Sequence, residues 1–335
     1  MATLVTGGAG YIGSHMVQAL VKRRVPVVVI DNFISGHREA VPEHVPLLEA
    51  DVSDGARVVP FMRKHGVDEI LHFASRIQVG ESVIDPKLYY EDNLGAAISL
   101  LGSALACNVK RFILSSTAAV YGVPEEMPIP EDHPTKPINP YGETKLAIEH
   151  MLGSYGRAYG LSWAALRYFN ACGASEDGTL GERHDPETHL IPLVLEAALH
   201  GKSVTMYGRD YPTRDGTCVR DYIHVVDLVE AHLAAMDHLR AGGPKHDKAG
   251  AFNLGTGKGY TVAEVIDACR RITGREIKVT IGERRAGDPP ELVAGVQRAR
   301  EVFGWRAQRS DLDTIVRDAW RWHSREKQTH YARTA

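Results

Sequence analysis

Tyr141 and Lys145 are the residues of this chain whose types and spacing most directly suggest chemistry. At i and i+4 on a helix they share one face, which sets an ammonium beside a phenol. A neighbouring cation favours the phenolate and would draw the tyrosine pKa down from about 10 toward working pH. A tyrosine so placed can take a proton from an alcohol or a sugar hydroxyl. Of all the tyrosines here, Tyr141 alone has a lysine four positions on. The pair needs an element that brings it an oxidant.

The start of the chain supplies one. Ala2–Thr6 is apolar and strand-prone, and it runs into Gly7-Gly8-Ala9-Gly10-Tyr11-Ile12-Gly13. An amphipathic stretch to Arg23 follows, then a second apolar run from Val25 to Ile30, ended by Asp31. Strand, glycine turn, helix, strand and acid form the context that makes a glycine pattern a dinucleotide-binding fingerprint. The glycines let the backbone approach a pyrophosphate, and the helix N-terminus meets its charge. Asp31 would accept hydrogen bonds from the adenosine ribose and repel a 2′-phosphate, selecting NAD over NADP. The plain alternative is a tight turn without a ligand.

The 335 residues can bury one large core or two coupled lobes. With a formal net charge of −3, there is no electrostatic case for nucleic acid. No apolar run reaches membrane-spanning length, a strand begins within two residues of Met1, and the four cysteines lack metal-like spacing. A cytoplasmic protein with no membrane contact is the expectation.

Strands are expected at Pro46–Ala50, Glu69–Phe73, Arg111–Ser115 and Ser162–Leu166. Helices are expected near Gly55–His65, Leu88–Asn108 and Tyr141–Tyr159. That alternation predicts an α/β fold with a doubly wound parallel sheet. From about Asn170 glycine, proline and charge crowd long loops, around an apolar segment (Leu190–His200), a helix-like run (His224–Leu239), a polar, mobile stretch (Ala241–Gly250) and a strand (Ala251–Leu254). The expected organisation is a Rossmann domain over 1–169, with about 216–255 returning to it. A smaller α/β substrate domain over 170–330 closes the crevice, and the last residues fray.

The glycine fingerprint, Ser115-Ser116-Thr117 and Tyr141-x-x-x-Lys145, in this order, resemble the extended branch of the short-chain dehydrogenase/reductase superfamily. Asp31-Asn32, His72-Phe73-Ala74, Val79-Gly80-Glu81-Ser82, Tyr89-Tyr90, Val120-Tyr121-Gly122 and Arg167-Tyr168-Phe169-Asn170 narrow the resemblance to its UDP-glucose 4-epimerase family. So do Asp210-Tyr211-Pro212-Thr213, Val219-Arg220-Asp221-Tyr222-Ile223-His224, Asn253-Leu254-Gly255-Thr256-Gly257 and Arg284-Arg285-x-Gly287-Asp288-x-Pro290. The matching segments run from residue 6 to about 290.

The resemblance implies an isomerase of galactose metabolism that retains NAD and commonly works as a homodimer. Tyr141 would deprotonate O4 of a UDP-sugar while hydride leaves C4. Lys145 would keep Tyr141 ionisable and bond the nicotinamide ribose, and Thr117 would bridge O4 and the phenol. The 4-keto sugar turns over and receives hydride on its other face. Around NAD the resemblance places Gly7, Gly10, Tyr11, Ile12, Gly13, Asp31, Asn32, Asp51, Val52, Phe73, Ala74, Asn93, Ser115 and Tyr168. For the sugar nucleotide it places Phe169, Asn170, Leu190, Tyr207, Arg220, Arg285 and Asp288; paired arginines suit a diphosphate. Phe169 and Tyr207 could equally pack the core, either arginine could be a solvated charge, and His72 and His224 read as buried structural histidines.

The chain departs from the family at three points. Ile77 stands where a lysine is frequent, with Arg76 beside it as the alternative cation. His189 replaces an asparagine before Leu190. Leu292 holds a position whose bulk gates the sugar pocket, and leucine there implies partial turnover of UDP-N-acetylhexosamines. Rival activities are a UDP-pentose or UDP-GlcNAc 4-epimerase, a sugar-nucleotide dehydratase or decarboxylase, and an inactive NAD-sensing module. The dehydratases place acids after the Thr117 position, where this chain has Ala118 and Ala119. A sensing module would be expected to lose Tyr141 or Lys145.

Overall fold

Short β-branched runs separated by amphipathic stretches set up parallel pairing from the first residues. The strands are β1 (Ala2–Thr6), β2 (Val27–Asp31), β3 (Leu47–Glu49), β4 (Val67–His72), β5 (Arg111–Thr117) and β6 (Ser162–Tyr168), then β7 (Asn170–Cys172), β8 (Ser203–Tyr207), β9 (Val219–His224), β10 (Ala249–Leu254), β11 (Gly259–Thr261), β12 (Lys278–Gly282) and β13 (Glu291–Leu292). The computed structural model describes residues 1–242, 249–285 and 288–334, with the side chains of 249 and 326–334 set aside. The polar stretch expected around Ala241–Gly250 therefore falls largely outside the described residues, as do Gly287 and Ala335.

Seven strands form one sheet in the order β10-β6-β5-β4-β1-β2-β3, every pair parallel. The strand order reverses at β1, so a crevice opens beyond the carboxyl ends of β1 and β4. Both faces are covered. One core joins Val5, Val29, Ile113 and Leu166 to the helices Tyr11–Lys22 and Val225–Ala241. The other joins Leu4, Ile70, Phe112 and Leu114 to the helices Gly55–His65, Ala96–Ala106 and Pro140–Tyr159. A third core, around the helices Leu190–His200 and Val262–Thr273 and residues 312–319, builds a second lobe with β8 paired to β12.

The helix carrying the Tyr–Lys pair is fixed at both ends by its sequence. Asn139 caps Gly142 N–H at 2.9 Å, Pro140 occupies the first turn, and Gly160 closes the last turn in the left-handed region at φ 71°. The expected helix Leu88–Asn108 is instead three pieces, Pro86–Tyr89, a π-helical turn Tyr90–Gly95, and Ala96–Ala106. The inserted residue turns Asn93 inward. Its amide accepts Arg76 N–H at 2.8 Å and donates to Arg76 O at 3.1 Å, tying the segment after β4 to Thr144 on the Tyr–Lys helix.

Candidate active site

The glycine turn is built for close approach. Gly7 sits at φ +69°, and a Cβ there would lie 2.6 Å from Ala74 N; a Cβ on Gly13 would lie 2.0 Å from Gly7 O. The helix that follows has Gly10 as its N-cap, with neither a side-chain cap nor an acid in its first turn. Its first N–H groups are thus left for an anion. A cleft of about 1080 Å³ opens here, walled by Gly7, Gly10, Asp31, Asn32, Asp51, Val52, Phe73, Ala74 and Arg76 among others. Asp31 is buried and accepts N–H bonds from Ala9 and Phe33, each at 2.8 Å, while Asn32 donates to Asp51 at 3.0 Å. Backbone cradle, open helix end and fixed acid fit a dinucleotide.

Several residues expected at the cofactor turn their side chains away from it, and Tyr11 and Ile12 face the cleft only through the backbone N–H groups that open the helix. Tyr11 donates its hydroxyl to Gly173 O at 2.7 Å, and burial pushes its pKa well up. Ile12 packs against the core and Gly13 lies under Gly7. Asn93 spends its amide on the protein, as described. Arg76, the expected substitute cation, is paired with Asp92 at 2.6 Å, so it brings little net charge.

Tyr141, Lys145 and Thr117 meet at the carboxyl end of β5, on the sheet edge that holds the cleft. Thr117 Oγ1 accepts Ala119 N–H at 3.1 Å, and its hydroxyl lies near enough to the Tyr141 phenol to favour the ionised form. Lys145 donates to Ser115 O at 2.9 Å, with Nζ 5.9 Å from the Tyr141 ring centroid. Tyr168 bonds His232 through its hydroxyl, and burial raises its pKa strongly.

Lys145 is not what governs the Tyr141 phenol, whose pKa is raised rather than lowered. Tyr141 is half-buried, and burial pushes the phenol up to about 12 although the Thr117 hydroxyl pulls the other way. Lys145 is itself fully buried, and burial lowers it from 10.5 to about 7 although Glu149 pulls the other way. Desolvation outweighs the pair's mutual help. Sequence reasoning also passed over Glu149, which continues the i, i+4 ladder of Tyr141 and Lys145 by one turn. It binds Arg167 through both oxygens at 3.1 and 2.6 Å and accepts Ser116 Oγ at 2.5 Å.

His72 and His224 are buried and bonded, to Thr6 Oγ1 at 2.7 Å and to Asp318 at 3.3 Å, as structural histidines should be. Burial holds His72 at about 3 and His15 and His232 at about 4. Each binds fewer protons folded than unfolded below its ordinary 6.5, so stability falls as pH drops from 6.5 toward 4. The expected loss is about 2 kcal/mol per imidazole by pH 5, read as a falling melting temperature between pH 7 and 5. A melting temperature unchanged over that range would contradict the neutral, buried assignment.

The residues expected at the sugar nucleotide gather on the second lobe. Asn170 on β7 donates to Asp221 O at 3.0 Å, and β7 pairs with β9. Arg220 on β9 stands in register with Leu292 on β13 and lies 3.7 Å from Asp288. Phe169 and Leu292 pack on one apolar cluster with Ala118, Tyr121 and Leu146. The Arg285 guanidinium stacks 4.1 Å above the exposed Tyr207 ring. His189 N-caps the helix that opens with Leu190, and its Nδ1 lies 2.5 Å from Glu182.

Residues 3–255 match the profile of the NAD dependent epimerase/dehydratase family. The chain belongs to that family. It is 48% identical over 324 residues to the UDP-glucose 4-epimerase of Halalkalibacterium halodurans, covering 96% of each chain. The crystal structure of UDP-glucose 4-epimerase from Brucella ovis in complex with NAD superposes with a TM-score of 0.90 at 48% identity, over 95% of this chain and 97% of that one. The enzyme from Bifidobacterium longum, in complex with NAD+ and UDP, gives 0.91 at 38% identity, over 98% and 99%. Among the described residues no helix is long and apolar enough to cross a membrane.

Proposed function

We propose that this NAD-dependent epimerase interconverts UDP-glucose and UDP-galactose by transient oxidation at C4. The observation that carries it is the Tyr141 phenol, set beside Thr117 and flanked by Lys145, near a dinucleotide cleft on the same sheet edge. Bound NAD supplies the oxidising carbon at C4 and, as a cation, the charge that favours the phenolate. Thr117 relays between O4 and the phenol, Tyr141 takes the O4 proton and later returns it, and Lys145 orients the pair from Ser115 O. Arg220 and Arg285, near Asp288 and over Tyr207, are the groups suited to the diphosphate. Asp31 is suited to the adenosine ribose, and Phe73, Ala74, Asp51 and Val52 to the rest of the dinucleotide.

The elimination rivals lack support. Ala118 and Ala119 follow Thr117, and Thr117 caps the turn they begin. Incubation with UDP-galactose should give UDP-glucose; a 4-keto-6-deoxy product would replace this assignment with a dehydratase. Leu292 beside Phe169 leaves an apolar, medium-sized wall, so UDP-N-acetylgalactosamine should turn over more slowly than UDP-galactose. No detectable second activity would remove Leu292 as the permissive residue. A homodimer, tested by sedimentation, is the assembly proposed. A reducing, cytoplasmic setting agrees with four free cysteines, three of them buried.

A further inference from the structure

The loop between β7 and the helix Leu190–His200 holds a cluster that takes no part in the proton and hydride transfers of the epimerase reaction. Glu182, His184, Glu187 and His189 each offer one nitrogen or carboxylate oxygen, all within 4.8 Å of one another. The nitrogen-to-oxygen separations are 2.5 Å for His189–Glu182, 3.3 Å for His184–Glu182, and 3.6 Å from each histidine to Glu187. Four ligands on a tetrahedron about 2.0–2.2 Å from a central ion stand roughly 3.3–3.6 Å apart. The 3.3 and 3.6 Å separations match that figure, and His189 and Glu182, hydrogen-bonded at 2.5 Å, must move apart by about 1 Å to admit the ion.

We propose that these four side chains bind one divalent cation of the Zn²⁺ class. Two imidazoles and two carboxylates suit a borderline ion. Mg²⁺ and Ca²⁺ prefer oxygen donors alone. Two carboxylates also balance the ion's charge, so no net charge is buried. The donors sit on a braced frame: Glu182 O accepts Trp322 Nε1–H at 3.1 Å, and Arg183 bonds Glu39 on the cofactor lobe at 2.6 Å. Glu182 is buried at the floor while His189 is 45% exposed at the mouth, which gives the ion a way in. His184, with Asp185 and Thr188, walls the dinucleotide cleft, so the ion would fix that wall and slow dinucleotide release. Metal binding itself does not depend on which sugar is the substrate.

The test uses the full-length protein with its own dinucleotide, stripped of metal by a chelator and equilibrated with Zn²⁺. Elemental analysis should find about one tightly held Zn²⁺ per chain, with a melting temperature raised by Zn²⁺ and not by Mg²⁺. The His184→Ala/His189→Ala variant should lose that equivalent, and Glu187→Gln should weaken binding at least about tenfold. Chelated variants melting with the chelated wild type show that folding is intact. If the double variant does not fold, Glu187→Gln decides, and unchanged affinity there overturns the site. Wild type retaining no equivalent, or an equivalent surviving the double variant among the sixteen histidines of the chain, overturns it too.

Discussion

Replacing Tyr141 by phenylalanine is expected to lower turnover about 10²–10⁴-fold while the variant folds and keeps its NAD. The substitution removes the hydroxyl that takes up and returns the O4 proton and leaves the ring in its packing, edge-on to Tyr89 at 6.5 Å. Dinucleotide retention should survive, because the glycine turn and Asp31 do not touch Tyr141. Burial already pushes the phenol up to about 12, and what the variant lacks is the proton carrier rather than a group that holds the sugar nucleotide. The fall should therefore appear in turnover rather than in sugar-nucleotide affinity. Steady-state rates with the dinucleotide content measured in parallel check this; a variant within threefold or so of wild type would remove Tyr141 as the proton carrier.

The second large effect is structural. Glu149→Gln should cost about 3–5 kcal/mol, because it strips one partner from an ion pair whose side chains are only 5% and 6% exposed. Arg167 would keep the Tyr121 hydroxyl at 2.8 Å but lose one of its two acceptors on residue 149 and the charge on the other. Ser116 would lose the charge it donates to, and Lys145 would lose the group that holds its ammonium up. Turnover should fall along with the melting temperature. Converting both partners, Glu149→Gln with Arg167→Met, should recover much of the stability, since replacing a buried pair by an apolar side chain removes the stranded charge. Chemical denaturation of the three proteins decides it. Equal stability of Glu149→Gln and wild type would show that the pair does not hold the catalytic helix to β6.

Local chemistry made much of the fold legible in the sequence. Helix Gly55–His65 is bounded by Asp54, whose side chain accepts from Arg57 N–H, and by Gly66 in the left-handed region, and both signals can be read from residue type. The strand–glycine–helix–strand–acid order placed the cleft, because a parallel sheet gathers its carboxyl ends on one edge. What depends on distant packing was not legible. Nothing in residues 88–108 marks the π-helical turn, whose role is to aim Asn93 at the segment after β4. Residue type does not reveal that the Tyr11 hydroxyl bonds Gly173 O on the second lobe, which leaves only its backbone N–H facing the cleft. The sign of the Tyr141 shift reversed because burial, which spacing cannot reveal, outweighs a lysine that is itself desolvated. Of the His/Glu cluster only His189 stood out, since its three partners converge through the path of a loop rather than through any regular spacing.

The central claim is that C4 of a UDP-sugar gives up and regains the same hydride within one chain and its retained cofactor. UDP-galactose deuterated at C4, incubated with the purified protein and no added NAD, tests it most directly. UDP-glucose that keeps the deuterium at C4 is the expected product. Deuterium lost to solvent, or turnover that requires added NAD, would contradict the account.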